Sequence, residues 1–236
     1  MIPFPKKPKI KKIEKNRAQV EIEALYPGYG VTIGNSLRRV LLSSIEGAAV
    51  TQMKIKGVSH EFTTIPGVLE DVIQIMLNLK QLRFKMIGDK PQKATLKVKG
   101  EKKVLGKDFE LPAQLELVNK DCHIATLTSK TAKLEMEILV EKGVGYSPRE
   151  EREKAKMEIG TIPVDAIFSP VKNVAMKVEN MRVGKRTDYD RLILDITTDG
   201  TINPEEAFKR ACQILIDQFS FLIEEHEKEK KGKKTK

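Results

Sequence analysis

Residues 28–44 read Gly28-Tyr29-Gly30-Val31-Thr32-Ile33-Gly34-Asn35-Ser36-Leu37-Arg38-Arg39-Val40-Leu41-Leu42-Ser43-Ser44. On a helical wheel at ~100° per residue, Ile33, Leu37, Val40, Leu41 and Ile45 share one arc, which predicts a helix from Ile33 to about Ile45 with one core-facing stripe. Leu42 lies off that arc with Arg38 one turn before it, and Arg39 points away from the stripe. The helix therefore has a second face carrying two arginines and a leucine, a composition enriched at protein interfaces. The alternative is an ordinary surface helix whose arginines pair with nearby carboxylates. The glycines ahead of it are spaced G-x-G-x-x-x-G, not the G-x-G-x-x-G of a dinucleotide loop, and no parallel βαβ unit follows. They read as a tight turn into the helix.

Upstream, Arg17–Tyr26 alternates Val20, Ile22 and Ala24 with Gln19, Glu21 and Glu23, the pattern of a half-buried strand. Downstream, Ala49–Val58 alternates again, Ser59–Gly67 reads as a connection, and Val68–Leu79 as a helix apolar on most sides. Short strands are predicted over Lys93–Lys99, Val104–Glu110, Ala113–Val118, His123–Leu127 and Ala132–Val140, a β-rich and antiparallel block. Gly143–Lys156 is polar and loop-like, and two more strands follow at Ala175–Val183 and Leu192–Thr198. The last helix opens with Asn203 as N-cap, Pro204 at the first helical position and Glu205 and Glu206 at its positive end. Nothing breaks it before about Lys230, so at 1.5 Å per residue it would run about 40 Å. Phe208, Ala211, Cys212, Leu215, Phe219 and Leu222 form one apolar strip on it, and Ala207, Ile214, Ile216, Phe221 and Ile223 a second. One strip can cover the chain's own sheet and the other a second copy of the chain, or both can be internal core.

The 236 residues, 40% hydrophobic and 32% charged, suffice for a folded core in one or two domains. No apolar run approaches the ~20 residues of a membrane span, and the N-terminus lacks the apolar stretch of a secretory signal. Cys122 and Cys212 stand alone, which fits a reducing compartment and a soluble intracellular protein. The net charge of +10 sits mostly at the ends, in Lys6, Lys7, Lys9, Lys11, Lys12, Lys15 and Arg17 and in the lysines of residues 228–236. Those ends read as solvated tails, with nucleic acid or an acidic partner as the alternative. There is no P-loop, and His60, His123 and His226 have no companions at metal-ligand spacing. Asp121-Cys122-His123 reads as structural, and Asp188, Asp190, Asp195 and Asp199 make no dense two-metal motif. No catalytic, cofactor or metal residue is predicted.

Residues 28–44 closely resemble the signature helix of the bacterial RNA polymerase alpha-subunit family. The resemblance continues through His60-Glu61-Phe62, Gly67-Val68-Leu69-Glu70-Asp71-Val72, Leu77-Asn78-Leu79-Lys80 and Gly143-Val144-Gly145-Tyr146. It extends to Ile162-Pro163-Val164-Asp165-Ala166, Ser169-Pro170-Val171, Arg186-Thr187-Asp188 and Asp199-Gly200-Thr201-Ile202-Asn203-Pro204. It covers nearly the whole chain in order, departing at Val31 and Ser36, which leave the arginine pair intact.

The resemblance implies an α+β protein of two domains. A discontinuous dimerisation domain spans about 1–46 and 174–236, and a β-rich domain of about 47–173 is inserted into it. It implies a non-catalytic subunit that homodimerises, with no cofactor, and holds the beta and beta-prime subunits of RNA polymerase in the bacterial cytoplasm, one protomer facing each. Beta contacts would fall on Arg38, Arg39 and Leu42 and on Glu70, Asp71, Asn78 and Lys80. Beta-prime contacts would fall within Val178–Leu192, on Arg182, Arg186, Thr187, Asp188 and Asp190. The dimer interface would use Ile33, Leu37, Leu41, Phe208, Ala211, Cys212, Leu215, Phe219 and Leu222. The family continues through a linker into a small helical DNA-binding domain, and Lys228–Lys236 resembles the start of that linker. DNA is therefore expected to be met by residues 1–236 only indirectly, through the complex.

Overall fold

The computed structural model describes residues 2–152, 158 and 160–232, with side chains for residues 2–150, 158 and 160–223. In chain order the elements are β1 (Lys9–Glu14), β2 (Arg17–Leu25), α1 (Tyr29–Ser43), β3 (Glu46–Ile55), α2 (Val72–Leu79), β4 (Phe84–Met86) and β5 (Gln92–Lys99). Next come β6 (Lys102–Leu105), β7 (Phe109–Glu110), β8 (Leu115–Leu117), β9 (His123–Leu127), β10 (Lys133–Val144) and β11 (Tyr146–Ser147). The chain closes with α3 (Arg149–Arg152), β12 (Thr161–Pro163), β13 (Ala166–Ile167), β14 (Val171–Val183), β15 (Arg186–Thr198) and α4 (Pro204–Gly232). The mixed α+β architecture with a β-rich insert is the one the sequence predicts.

The contacts divide the chain into two compact units, Met1–Ile45 with Pro170–Lys236, and Glu46–Ser169. In the discontinuous unit an antiparallel sheet runs β1-β2-β15-β14, so the first and last parts of the chain meet where β2 pairs with β15. Alternate residues Val20 and Ile22 of β2 and Leu192, Leu194 and Ile196 of β15 face one core with Leu37 and Leu41 of α1 and Phe208 and Ala211 of α4. Arg17 clamps the seam with two bonds to Asp195, Nε to Oδ1 at 2.9 Å and Nη2 to Oδ2 at 2.7 Å.

The arm is not a solvated tail. Residues 9–14 form an edge strand on β2, in register from Lys9↔Glu21 to Glu14↔Arg17. Lys6 and Lys9 both pair with Glu23, so part of the arm's charge is engaged internally. A strand in which only Ile10 is partly covered leaves no apolar alternation to read. The expectations for residues 233–236 and for the side chain of His226 lie outside the described residues.

Where β2 bends, two of its residues stand opposite one of β15, and there Ala24 adopts φ 60°, the one positive φ of a non-glycine residue among those described. That conformation costs an L-residue about 1–2 kcal/mol, against the 0.5–1 kcal/mol of chain entropy a glycine loses on folding. Ala24→Gly is therefore expected to stabilise the protein by about 0.5 kcal/mol, read as a higher urea midpoint with an unchanged slope.

The inserted unit is built on an antiparallel sheet of order β7-β5-β10-β3-β4-β8, with β12 also on β3, and smaller pairs β6-β9 and β11-β13. Val72, Ile75 and Leu79 of α2 share its core with Met53, Leu96 and Ile138. The helix predicted from Val68 begins only at Val72, because the Asp71 carboxylate accepts the Gln74 N–H at 2.7 Å and caps it there. Three other readings change. Residues 104–110 are split by a short 3-10 turn, β10 runs on to Val144 where a loop is predicted, and β4, β12 and β13 are too short to show a pattern.

Candidate functional site

The first turn of α1 has no cap of its own. Its N-cap is Gly28 at φ 86°, with no side-chain bond, and its first turn holds no acidic residue. The missing carboxylate comes from β15. Asp190 is 7% exposed, and its Oδ2 accepts the N–H groups of Gly28 and Gly30 at 2.9 Å each. Negative charge thus meets the positive end of the helix. Gly30 and Gly34 lie inside α1 rather than in a turn before it, on the face pressed against the β14–β15 hairpin. A Cβ on Gly30 would stand 2.8 Å from Val178 Cγ1, and one on Gly34 2.5 Å from Met176 Sδ and 2.8 Å from Leu192 Cδ1. The glycine spacing is therefore a seat for a helix.

With that face seated, Leu37 and Leu41 point into the core and Arg38, Arg39 and Leu42 point to solvent. Among the described residues neither guanidinium has an ion-pair or hydrogen-bond partner. The ordinary-surface-helix alternative requires carboxylates beside them, and among the described residues none pairs with either.

The proposed dimer residues separate into three groups. Leu37, Leu41, Phe208 and Ala211 are buried in their own unit's core, and of these Leu37 and Phe208 also reach the space between α1 and α4. Ile33, Cys212 and Leu215 are half-buried and line an apolar groove of about 390 Å³ between α1 and α4, with Pro5 and Pro8 at its rim. Phe219 and Leu222 are exposed, and so are Ile216, Phe221 and Ile223. The division on α4 is thus along the helix, not around it. Its first three turns pack on the unit, and residues 216–223 carry five large apolar side chains 55–63% exposed.

At the far end of the β14–β15 hairpin, Arg186 lies 5.6 Å from the ring of Tyr26 and 5.2 Å from that of Tyr189, within cation–π range. Asp188 holds it with two bonds of 3.0 and 2.7 Å, which keeps the aspartate below the usual carboxylate range and raises the arginine. Tyr29 meets Tyr26 edge-on at 6.1 Å. Arg182 donates to the Gly184 carbonyl, and Thr187 is exposed. Sequence reasoning missed Tyr26, Tyr29 and Tyr189, which lie just after β2, in α1 and in β15 and meet only in the fold. Asp190 leaves the expected beta-prime set, because its carboxylate is buried under α1.

In the inserted unit three expected beta-contact residues turn inward. Glu70 accepts from the N–H and hydroxyl of Thr126 at 2.6 and 3.0 Å, and its Oε1 lies 2.8 Å from His123 Nε2. Asn78 is buried and donates to the Ile124 carbonyl, and Lys80 pairs with Asp165 at 2.9 Å. Asp71 is the exposed cap of α2. The large apolar side chains that the 60–80 stretch exposes are Phe62, Leu69 and Leu77.

Burial pushes the Glu70 carboxyl up, but the bonds from His123 and Thr126 outweigh it and hold the group below its ordinary range. A carboxyl depressed by folding stabilises above its unfolded pKa of about 4.3, and that stability fades as pH falls through the lower folded value. The urea midpoint is therefore expected to drop below about pH 4, and Glu70→Gln to show a flatter profile there and a lower midpoint at neutral pH.

Among the described residues, no three His, Cys, Asp or Glu side chains converge as a metal site requires, and no helix is long and apolar enough to cross a membrane. Residues 53–169 match the family model described as the RNA polymerase Rpb3/RpoA insert domain. The chain is 46% identical over 224 residues to the DNA-directed RNA polymerase subunit alpha of Carboxydothermus hydrogenoformans, covering 94% of this chain and 71% of that protein. It is 47% identical over 221 residues to the subunit of the same name from Symbiobacterium thermophilum, covering 92% and 70%. Against that of Syntrophomonas wolfei the identity is 48% over 223 residues, covering 92% and 70%. A seated helix with an open arginine face, an insert that matches the Rpb3/RpoA model and identity along nearly the whole length lead to one conclusion: the chain belongs to the family of DNA-directed RNA polymerase alpha subunits.

Proposed function

We propose that this chain is the assembly platform of a bacterial RNA polymerase, working in the cytoplasm as a homodimer that gathers the beta and beta-prime subunits. The observation that carries the reading is the open face of α1, where Arg38 and Arg39 have no partner among the described residues and stand beside the exposed Leu42. A fold of this charge density offers carboxylates widely, and two adjacent guanidiniums left unpaired on a rigid helix suit a protein partner that supplies acceptors. This face is one beta contact, and the exposed part of the 60–80 stretch, in the inserted unit, is another. The Arg182–Asp188 end of the hairpin, widened by the three tyrosines, is the beta-prime contact. The groove and the exposed turns of α4 are the dimer interface.

The test is co-purification of the beta subunit of the same organism with the wild-type chain and with Arg39→Ala. Arg39 is exposed and unpaired, so the variant should stay folded and dimeric, with stability within about 0.5 kcal/mol of wild type. Truncating a central interface arginine costs about 2 kcal/mol or more, so beta affinity should fall at least ~30-fold and beta should be lost on washing. Retention by both chains would reject the arginine contact, and retention by neither would reject the platform.

A further inference from the structure

We propose that Asp190 is a positioning residue for the Arg38–Arg39 contact: it fixes the register of α1 on the sheet and so places the two guanidiniums. The proposal rests on the reading of Arg38 and Arg39 as a contact for a large subunit.

Helices seated on a sheet are usually fixed by side chains that interlock with the surface below. Under α1 that interlock is weak at the start, because Gly30 and Gly34 bring backbone directly onto Val178, Met176 and Leu192. A glycine face allows close approach and supplies no side-chain knobs of its own, so at this end the helix meets the sheet through backbone contact. The hydroxyl bonds of Thr32, Ser36 and Ser43 all return to carbonyls of residues 28–39 and add no hold on the sheet. What is directional at this end is the pair of bonds from Gly28 and Gly30 to one oxygen of Asp190. That oxygen belongs to a buried side chain on β15, held between β2 and β14.

Arg39 is nine residues beyond Gly30, about 13 Å along the axis at 1.5 Å per residue. With side-chain tips about 5–6 Å from the axis, a turn of α1 by about 20° moves a guanidinium by about 2 Å. Hydrogen bonds to a partner do not survive a displacement of that size. The cap at one end of the helix thereby sets the geometry at the other, although Asp190 touches neither arginine.

The experiment is a thermodynamic cycle with the full chain, titrated against purified beta subunit: wild type, Asp190→Ala, Arg39→Ala and the double variant. Asp190→Ala is expected to remain a folded dimer and to lose about tenfold in beta affinity, about 1.4 kcal/mol. In the Arg39→Ala background the same change should cost nothing further, because a misplaced guanidinium is no longer there to lose. Asp190→Asn keeps the shape and a neutral acceptor, and should lose only two- to threefold. Wild-type affinity in Asp190→Ala, or a tenfold loss that multiplies through Arg39→Ala, overturns the proposal. Should Asp190→Ala fail to fold, the cycle is run with Asp190→Asn, where no loss, or a loss that multiplies, overturns it. If Arg39→Ala binds beta like wild type, the contact reading itself falls and the proposal with it. If only Arg39→Ala is weak, the contact stands and the positioning role falls alone.

Discussion

Phe219→Asp is expected to turn the proposed dimer into a monomer while leaving the fold of each chain intact. Phe219 sits beyond the part of α4 that packs on its own unit and is 59% exposed, so the isolated chain loses little when the ring is replaced. Substitutions at such positions change stability by about 0.5 kcal/mol or less. In a dimer the same ring, with Ile216, Phe221, Leu222 and Ile223 around it, is covered by the partner. Burying a large apolar side chain contributes about 1.5–3 kcal/mol, and a carboxylate put in its place must lose its water at a cost of several kcal/mol. By two-fold symmetry each substitution enters the interface twice. The dimer dissociation constant should therefore rise at least ~100-fold, visible as monomer mass by sedimentation at micromolar concentration with an unchanged melting curve. Phe208→Ala, eleven residues earlier on the same helix, should behave in the opposite way. That ring is in the core of its own unit, and its loss should cost about 3–5 kcal/mol of stability. A Phe219→Asp chain that keeps dimer mass would show that the projecting turns of α4 cover something other than a second copy.

The contrast between Phe208 and Phe219 also marks the limit of what periodicity conveys. The apolar spacing of α1 and α4 predicts two helices with more apolar surface than one face can hide, and the structure has both. Spacing describes the circumference of a helix, however, and the boundary on α4 falls along its length, after Leu215. Residues 9–14 hide for a related reason: an edge strand flanked by lysines is a protected edge, and protection removes the alternation that would reveal it. The Asp190 cap has no local signature. A helix without its own cap can be read at residues 28–34, and a buried aspartate on a strand can be suspected, but 160 residues separate Asp190 from Gly30. The tyrosines around Arg186 share that difficulty, coming from just after β2, the first turn of α1 and β15. The resemblance supplied the residues of the contact surfaces, but it could not separate those that face outward from those, such as Asn78 and Lys80, that hold the unit together.

Neighbouring leucines on α1 give the sharpest test of its two faces. Leu41 is fully buried and Leu42 is 37% exposed, although they are adjacent and chemically identical. Leu41→Ala removes side-chain atoms from the core that α1 shares with β15 and α4, and should cost about 2–5 kcal/mol, the upper end applying if the cavity cannot close. With total stabilities of about 5–15 kcal/mol, that change alone can leave a visible unfolded fraction at growth temperature. Any loss of beta capture by this variant should track the fraction unfolded and vanish when measured per folded molecule. Leu42→Ala should do the reverse, with a melting curve like wild type and a beta affinity reduced about five- to thirtyfold, because a leucine beside the proposed contact arginines would exclude water from them. If both variants lose capture in proportion to stability, α1 is only a structural helix, and its arginines would then need another explanation for standing unpaired. If Leu42→Ala weakens capture at full stability, the outward face is functional in its own right, and the division of α1 into a seated side and an offered side is the feature on which assembly depends.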